Sequence, residues 1–253
     1  MAKLLILGGT TEATALCDAL AGNNRFDTLL SYAGATRTPR PPKVPYRVGG
    51  FGGGTGLAAF LRDGGFDLLI DATHPFAARM KQNAAEAAAL TGLPFLAIQR
   101  PEWQPVPSDA WTMVPSMADA ATALGTQPKR VMLTIGRKDL AAFRTAPGHH
   151  YIVRSVDPPD AETLPPDAVV ISARGPFREA DERDLLQHHR CDILVTKNSG
   201  GSATMPKLAA ARSLGIAVVM VQRPAPLAGI ATAATATEAL AWLAAHLGAD
   251  RGE

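Results

Sequence analysis

The chain repeats itself, and the repeated unit is one that a parallel α/β architecture accommodates. "FDLLIDATHPFA" (66–77) aligns with "CDILVTKNSGGS" (191–202). Each is followed by an Ala-rich helical stretch and then by "TGLPFLAIQRP" (91–101) or "LGIAVVMVQRP" (214–224). Upstream, Leu61 and Leu186 stand at the same distance before the aligned Asp67 and Asp192, and "LLILGGTTEA" (4–13) pairs with "VMLTIGRKDL" (131–140). Short apolar runs bounded by turns fit strands covered on both faces by helices, which is how parallel sheets are built. Strands are expected near 3–7, 28–32, 46–48, 67–71 and 94–99, and again near 130–135, 151–154, 168–172, 191–196 and 216–222, with a final helix over 232–247. The expected fold class is α/β: two related Rossmann-like parallel-sheet domains with a cleft between them. The first spans 1–100, a Pro-rich linker containing "RPEWQPVPSDAW" occupies 101–128, and the second spans 129–253. In parallel sheets the functional loops follow strand C-termini. The cleft is therefore expected to be lined by 8–12, 32–43, 49–56, 71–79, 136–139, 155–160, 173–179 and 197–206.

Composition removes several function classes. A formal charge of +2, with no basic run interleaved with aromatics, does not argue for nucleic acid. No apolar run approaches the ~20 residues that span a bilayer. The first strand begins within three residues of Met1, leaving no room for a signal peptide, so a cytoplasmic location is expected. Cys17 and Cys191 match no metal spacing and read as reduced core thiols. The pairs His149–His150 and His188–His189 have no third ligand nearby, so no metal is expected.

The turn "GGTTEA" almost spells a dinucleotide fingerprint, with Gly8 and Ala13 in place and Thr10 where a second glycine would stand. The N-terminus of the following helix offers free N–H groups and the positive end of its dipole, and Thr10 or Thr11 can cap it. The alternative is a tight strand-to-helix turn without a ligand. Gly54-Thr55-Gly56-Leu57-Ala58-Ala59 fits G-x-G-x-x-A better, but "GGFGG" separates it from its strand, so it reads as a cleft loop. NAD-preferring enzymes usually carry an acid at the end of the second strand. Here Ser31 and Tyr32 end it, Arg37 and Arg40 follow, and Asp27 lies at the wrong end. A hydroxyl plus an arginine suits a 2′-phosphate and favours NADPH; the alternative is that both arginines are solvated loop charges. No Y-x-x-x-K pair, Walker-type phosphate loop or G-x-S-x-G elbow occurs.

At "ILGGTTEA", "DATHPFA", "RPEW" and "TKNSGG…PKLAAARSLGIAVVMVQRP" the sequence resembles the precorrin-6A reductase family of cobalamin biosynthesis, in the family's motif order over 1–225. The resemblance implies NADPH-dependent reduction of a ring double bond in a ring-contracted tetrapyrrole, precorrin-6A to precorrin-6B. It leaves open whether the ring is metal-free or holds cobalt. Such a substrate is a flat polycarboxylate, and cations on strand-exit loops would bind its arms. The expected cofactor contacts are Gly8, Gly9, Thr10, Thr11, Ser31, Arg37 and Thr73. The expected substrate contacts are Arg100, Arg137, Arg174, Lys197, Asn198, Ser199, Gly200 and Gly201, with Lys138, Arg178 and Arg223 as further cations. Asp71 and His74 are the candidate catalytic groups; His74 could donate a proton, or cap its turn and line the cleft. "TKNSGG" could grip ligand through its N–H groups or be a structural turn. Expected partners are the tetrapyrrole and neighbouring enzymes of the pathway, with no nucleic acid and no membrane; a monomer is expected. A nucleotide-sugar glycosyltransferase and a ligand-binding protein without turnover are the rival readings.

Overall fold

The computed structural model describes residues 1–34 and 41–249. Its strands are β1 (Ala2–Leu7), β2 (Phe26–Tyr32), β3 (Tyr46–Val48), β4 (Leu68–Asp71), β5 (Phe95–Ile98), β6 (Trp111–Val114), β7 (Arg130–Thr134), β8 (His150–Ser155), β9 (Ala168–Ser172), β10 (Ile193–Lys197), β11 (Ala217–Val221) and β12 (Ala231–Ala233). Its α-helices are α1 (Thr11–Leu20), α2 (Gly54–Asp63), α3 (Ala78–Thr91), α4 (Met117–Ala123), α5 (Glu179–His188), α6 (Pro206–Ser213) and α7 (Ala236–Ala249).

Two six-stranded sheets form, in the orders β12-β5-β4-β1-β2-β3 and β6-β11-β10-β7-β8-β9, and neighbouring strands pair in parallel. Under the sequence repeat, β1, β2, β3, β4 and β5 correspond to β7, β8, β9, β10 and β11. Both sheets then have the doubly wound order of a dinucleotide-binding fold, with the order reversing between β1 and β4 and between β7 and β10.

The sixth strand of each sheet comes from the other half of the chain. β6 follows β5 yet pairs with β11, and β12 follows β11 yet pairs with β5. The QRP repeats mark these junctions: Gln99 donates its N–H to Ala233 O and Gln222 donates to Val114 O. The chain accordingly divides into unit 1, Met1–Pro101 with Pro224–Glu253, and unit 2, Glu102–Arg223. This corrects the expected boundaries in two places. Residues 101–128 are not a linker but supply β6 and α4, and 224–253 belong with the first sheet. It also replaces the start of the expected 232–247 helix with β12.

The aligned aspartates turn out to be strand clasps. Asp67 Oδ2 accepts from Lys3 N, and Asp192 Oδ2 from Arg130 N, both at 2.7 Å. The aligned leucines close the preceding turns: Leu61 O accepts from Phe66 N, and Leu186 O from Cys191 N. Inside unit 1 the strands alternate as their pleat requires. Leu4 and Ile6 pack with α1 and α7, and Leu5 and Leu7 pack with α2 and α3. In unit 2, Met132, Ile152 and Leu194 pack against α5 and α6. Cys17 and Cys191 are both buried and free, and burial pushes their thiols up to about 12 and about 11, the inert regime. No helix among the described residues is long and apolar enough to cross a membrane.

Candidate functional site

In unit 1 the order reverses where β1 and β4 lie side by side, with Leu7 in register with Asp71. Beyond that point the "GGTT" turn is built to stay open. Gly8 N donates to Ser31 O at 2.9 Å, tying the end of β1 to β2. Gly9 has φ +133°, and a Cβ there would meet nothing within 4 Å. Thr10 caps α1: its hydroxyl accepts from Ala13 N at 3.2 Å and donates to Ala72 O at 2.8 Å, bridging the β1 and β4 exits. The N–H groups of Thr11 and Glu12 begin the helix and cannot bond within it. Glu12 would oppose an anion here, but Arg100 Nη1 pairs with its Oε2 at 2.8 Å and the Thr11 hydroxyl donates to the same oxygen. Arg100, expected as a substrate contact, thus sits on the turn of unit 1.

The "DATHPFA" segment is held from within. Asp71, 1% exposed, accepts from Thr73 N at 2.9 Å and Thr73 Oγ1 at 2.6 Å, while its other oxygen pairs with Lys81 on α3 at 2.9 Å. Both oxygens of Asp71, a candidate catalytic group from the sequence, are engaged by Thr73 and Lys81, an arrangement that positions the turn. His74 Nδ1 accepts from Phe76 N at 3.2 Å. An Nδ1 that accepts an amide hydrogen leaves Nε2 as the ring nitrogen that can donate.

At the ends of β2 and β3 lies a cation that sequence reasoning missed. Ser31 is in register with Arg47, and Arg47 Nη1 donates to Ser31 Oγ at 2.8 Å. Arg37 lies outside the described residues. The G-x-G-x-x-A stretch has a packing explanation: a Cβ on Gly56 would stand 1.8 Å from Phe51 O, so only glycine lets α2 start beneath that loop.

Unit 2 repeats the topology but not the turn. After β7, Gly136 (φ +87°) leads into a 3₁₀ segment, Arg137–Thr145, with no side-chain cap, where the alignment suggests a second α1. The narrower i→i+3 winding presents its N–H groups less regularly than a capped α-helix. Lys197, at the β10 exit, pairs with Asp139 in that segment. Asn198 is 1% exposed, and its amide is spent on one partner: Oδ1 accepts from Trp103 N at 2.9 Å and Nδ2 donates to Trp103 O at 3.1 Å. Trp103 Nε1 donates to Gly201 O at 2.9 Å, and Lys207 Nζ lies 5.1 Å from the Trp103 ring centroid. "RPEW" and "TKNSGG" are therefore one clasp, which accounts for Asn198 and Gly201 structurally. Ser199 is buried beside it, Gly200 has φ +64°, Arg137 is half-buried and Arg174 is exposed.

Against known proteins, a family model described as Precorrin-6x reductase CbiJ/CobK matches residues 3–244. The chain belongs to the precorrin-6x reductase family. Within it, a protein named Precorrin-6A reductase from Sinorhizobium sp is 52% identical over 94% of this chain and 91% of its own length. A solved structure titled "CobK precorrin-6A reductase" superposes with a TM-score of 0.92 at 45% identity, covering 97% of each chain. A Cobalt-precorrin-6A reductase from Priestia megaterium is 30% identical over 87% of this chain and 90% of its own length.

Proposed function

We propose that this protein is a precorrin-6A reductase that uses NADPH to reduce a ring double bond of the metal-free tetrapyrrole, giving precorrin-6B in cobalamin biosynthesis. The reading rests first on family membership. The higher identity to a protein named Precorrin-6A reductase, 52% against 30% for the cobalt-precorrin enzyme, favours the metal-free substrate.

The observation that carries the cofactor assignment is the difference between the two repeats. Unit 1 has an open glycine at φ +133° and a Thr10-capped α-helix; unit 2 has an uncapped 3₁₀ segment at the same place. A pyrophosphate fits the first, where an open glycine precedes free helix N–H groups and the positive dipole end, with Arg100 offsetting Glu12. The nicotinamide supplies a hydride when bound. Gly8 and Gly9 leave room for the pyrophosphate and the Thr10 and Thr11 N–H groups hold it, Thr73, its hydroxyl donated to Asp71, shapes the wall beside it, and His74 contributes Nε2–H as a hydrogen-bond donor. Arg137, Arg174 and Lys197 take substrate carboxylates in unit 2, with the Ser199–Gly201 backbone shaping that turn.

Titrating Lys197→Ala with both ligands tests the division of labour. Substrate KM should rise about tenfold, the cost of one charge-assisted contact of ~1.5 kcal/mol, with NADPH affinity unchanged. Loss of NADPH binding with tetrapyrrole binding retained would move the cofactor to unit 2.

A further inference from the structure

The guanidinium of Arg47 is held in an unusual way. Nη1 donates to Ser31 Oγ at 2.8 Å and to Gly49 O at 3.0 Å, and Nη2 donates to Gly50 O at 3.2 Å. Its carbon lies 4.2 Å from the Phe51 ring centroid and 5.1 Å from that of Phe60. Every acceptor is neutral, and among the described residues no carboxylate lies within ion-pairing distance. The charge is thus fixed by hydrogen bonds and aromatic faces but not neutralised, in a half-buried position. Three acceptors occupy part of its five-donor fork, which leaves donors for a further anion.

Its place in the fold says which anion. Ser31 is the next-to-last residue of β2, and its carbonyl receives the Gly8 N–H of the phosphate turn. In doubly wound folds the end of this strand meets the adenosine ribose, where an acid selects the free 2′-hydroxyl and an arginine selects the 2′-phosphate. No acid ends β2 here. The glycines at 49, 50, 52 and 53 carry no side chains over this corner, and Cβ atoms at 50, 52 and 53 would meet nothing within 4 Å.

We propose that Arg47, positioned by Ser31 and stacked on Phe51, reads the 2′-phosphate of the cofactor and sets the preference for NADPH over NADH; this rests on the cofactor assignment to unit 1. Arg37 is then an auxiliary charge.

The test is calorimetric titration of the full chain and its Arg47→Met, Arg47→Lys and Arg37→Ala variants with NADPH and NADH. Wild type should prefer NADPH by about ten- to a hundredfold, the worth of a charge-assisted phosphate contact. Arg47→Met should erase that preference while NADH affinity stays within about twofold, which also shows that the variant is folded. Arg47→Lys, which keeps the charge but not the fork, should retain an intermediate preference. Equal weakening of both nucleotides by Arg47→Met and Arg47→Lys would reduce Arg47 to a staple for the Gly49–Gly50 loop and overturn the inference alone. So would a preference lost only in Arg37→Ala. Wild type binding neither nucleotide would overturn the cofactor assignment itself, and the inference with it.

Discussion

At the scale of single residues, the proposed site separates groups that would touch ligand from groups that hold those groups in place. Gly9 would be of the first kind. Its open surroundings and positive φ mean that Gly9→Val would intrude on the proposed ligand space and strain only its own backbone, by about 1–3 kcal/mol. Calorimetry should show a folded variant without measurable NADPH affinity; normal affinity would make "GGTT" a plain turn. For His74, the amide hydrogen bond to Nδ1 predicts a hydrogen-bonding role. His74→Gln should lower kcat/KM about tenfold, the loss of ~1.4 kcal/mol, and leave the pH–rate profile unchanged in shape. A loss of a hundredfold or more in kcat, with disappearance of a limb near pH ~6.5, would instead identify a general acid. The glycine turn and its threonine cap were legible in the sequence because their chemistry is local. The partners of Asp71 and Asn198 were not legible for the opposite reason: Lys81 and Trp103 are chosen by tertiary packing, and a polar residue after a strand reads the same whether it faces a ligand or a clasp.

At the scale of elements, ten strands could be read from the sequence and its repeat, and the two exchanged ones could not. β6 and β12 are partly exposed edge strands, β6 lies in the Pro-rich stretch 101–128, and 232–247 reads as one helix. One signal was available. Ser116 caps α4 with Asp119 three residues on, and Thr235 is bonded in the same way to Glu238 ahead of α7. These matching hydroxyl caps, each with an acid three residues on, mark two helix starts and leave a strand's length before each. The segment before β6 is fixed by Asp109, whose carboxyl accepts two hydrogen bonds from Arg212 of α6, at 2.8 and 3.2 Å. Burial pushes the Asp109 carboxyl up, but the Arg212 hydrogen bonds, with that from Val106 N, hold it below the usual carboxylate range overall. A depressed folded-state pKa contributes stability that is complete above the unfolded value of ~3.9 and is lost as pH falls through the folded value. Asp109→Asn should therefore lower stability at neutral pH and flatten the acid limb of a thermal-melt series below pH ~4. An unchanged acid limb would show that the pair contributes nothing.

At the scale of the whole molecule, the repeat revealed two Rossmann-like halves but not that each completes the other's sheet. Identical strand orders can be made with or without exchange, and only pairing decides between them. The exchange has a consequence for stability. Ending the chain after Arg223 removes β12 and α7, including buried Ala233, Ala239 and Leu243, and uncovers the face carrying Leu4, Ile6, Leu96 and Ile98. The truncated chain should lose the cooperative melt of unit 1 and aggregate, although every residue of "GGTTEA" and "DATHPFA" remains; a wild-type melt would contradict the exchanged topology. The proposed transfer of a hydride from NADPH on unit 1 to precorrin-6A is open to anaerobic turnover of the purified protein, following nicotinamide absorbance and product mass together. NADPH consumption should depend on metal-free precorrin-6A and be matched by a product heavier by two hydrogens, with no turnover by Gly9→Val. Absence of NADPH consumption with the authentic metal-free substrate, or full turnover by Gly9→Val, would contradict it.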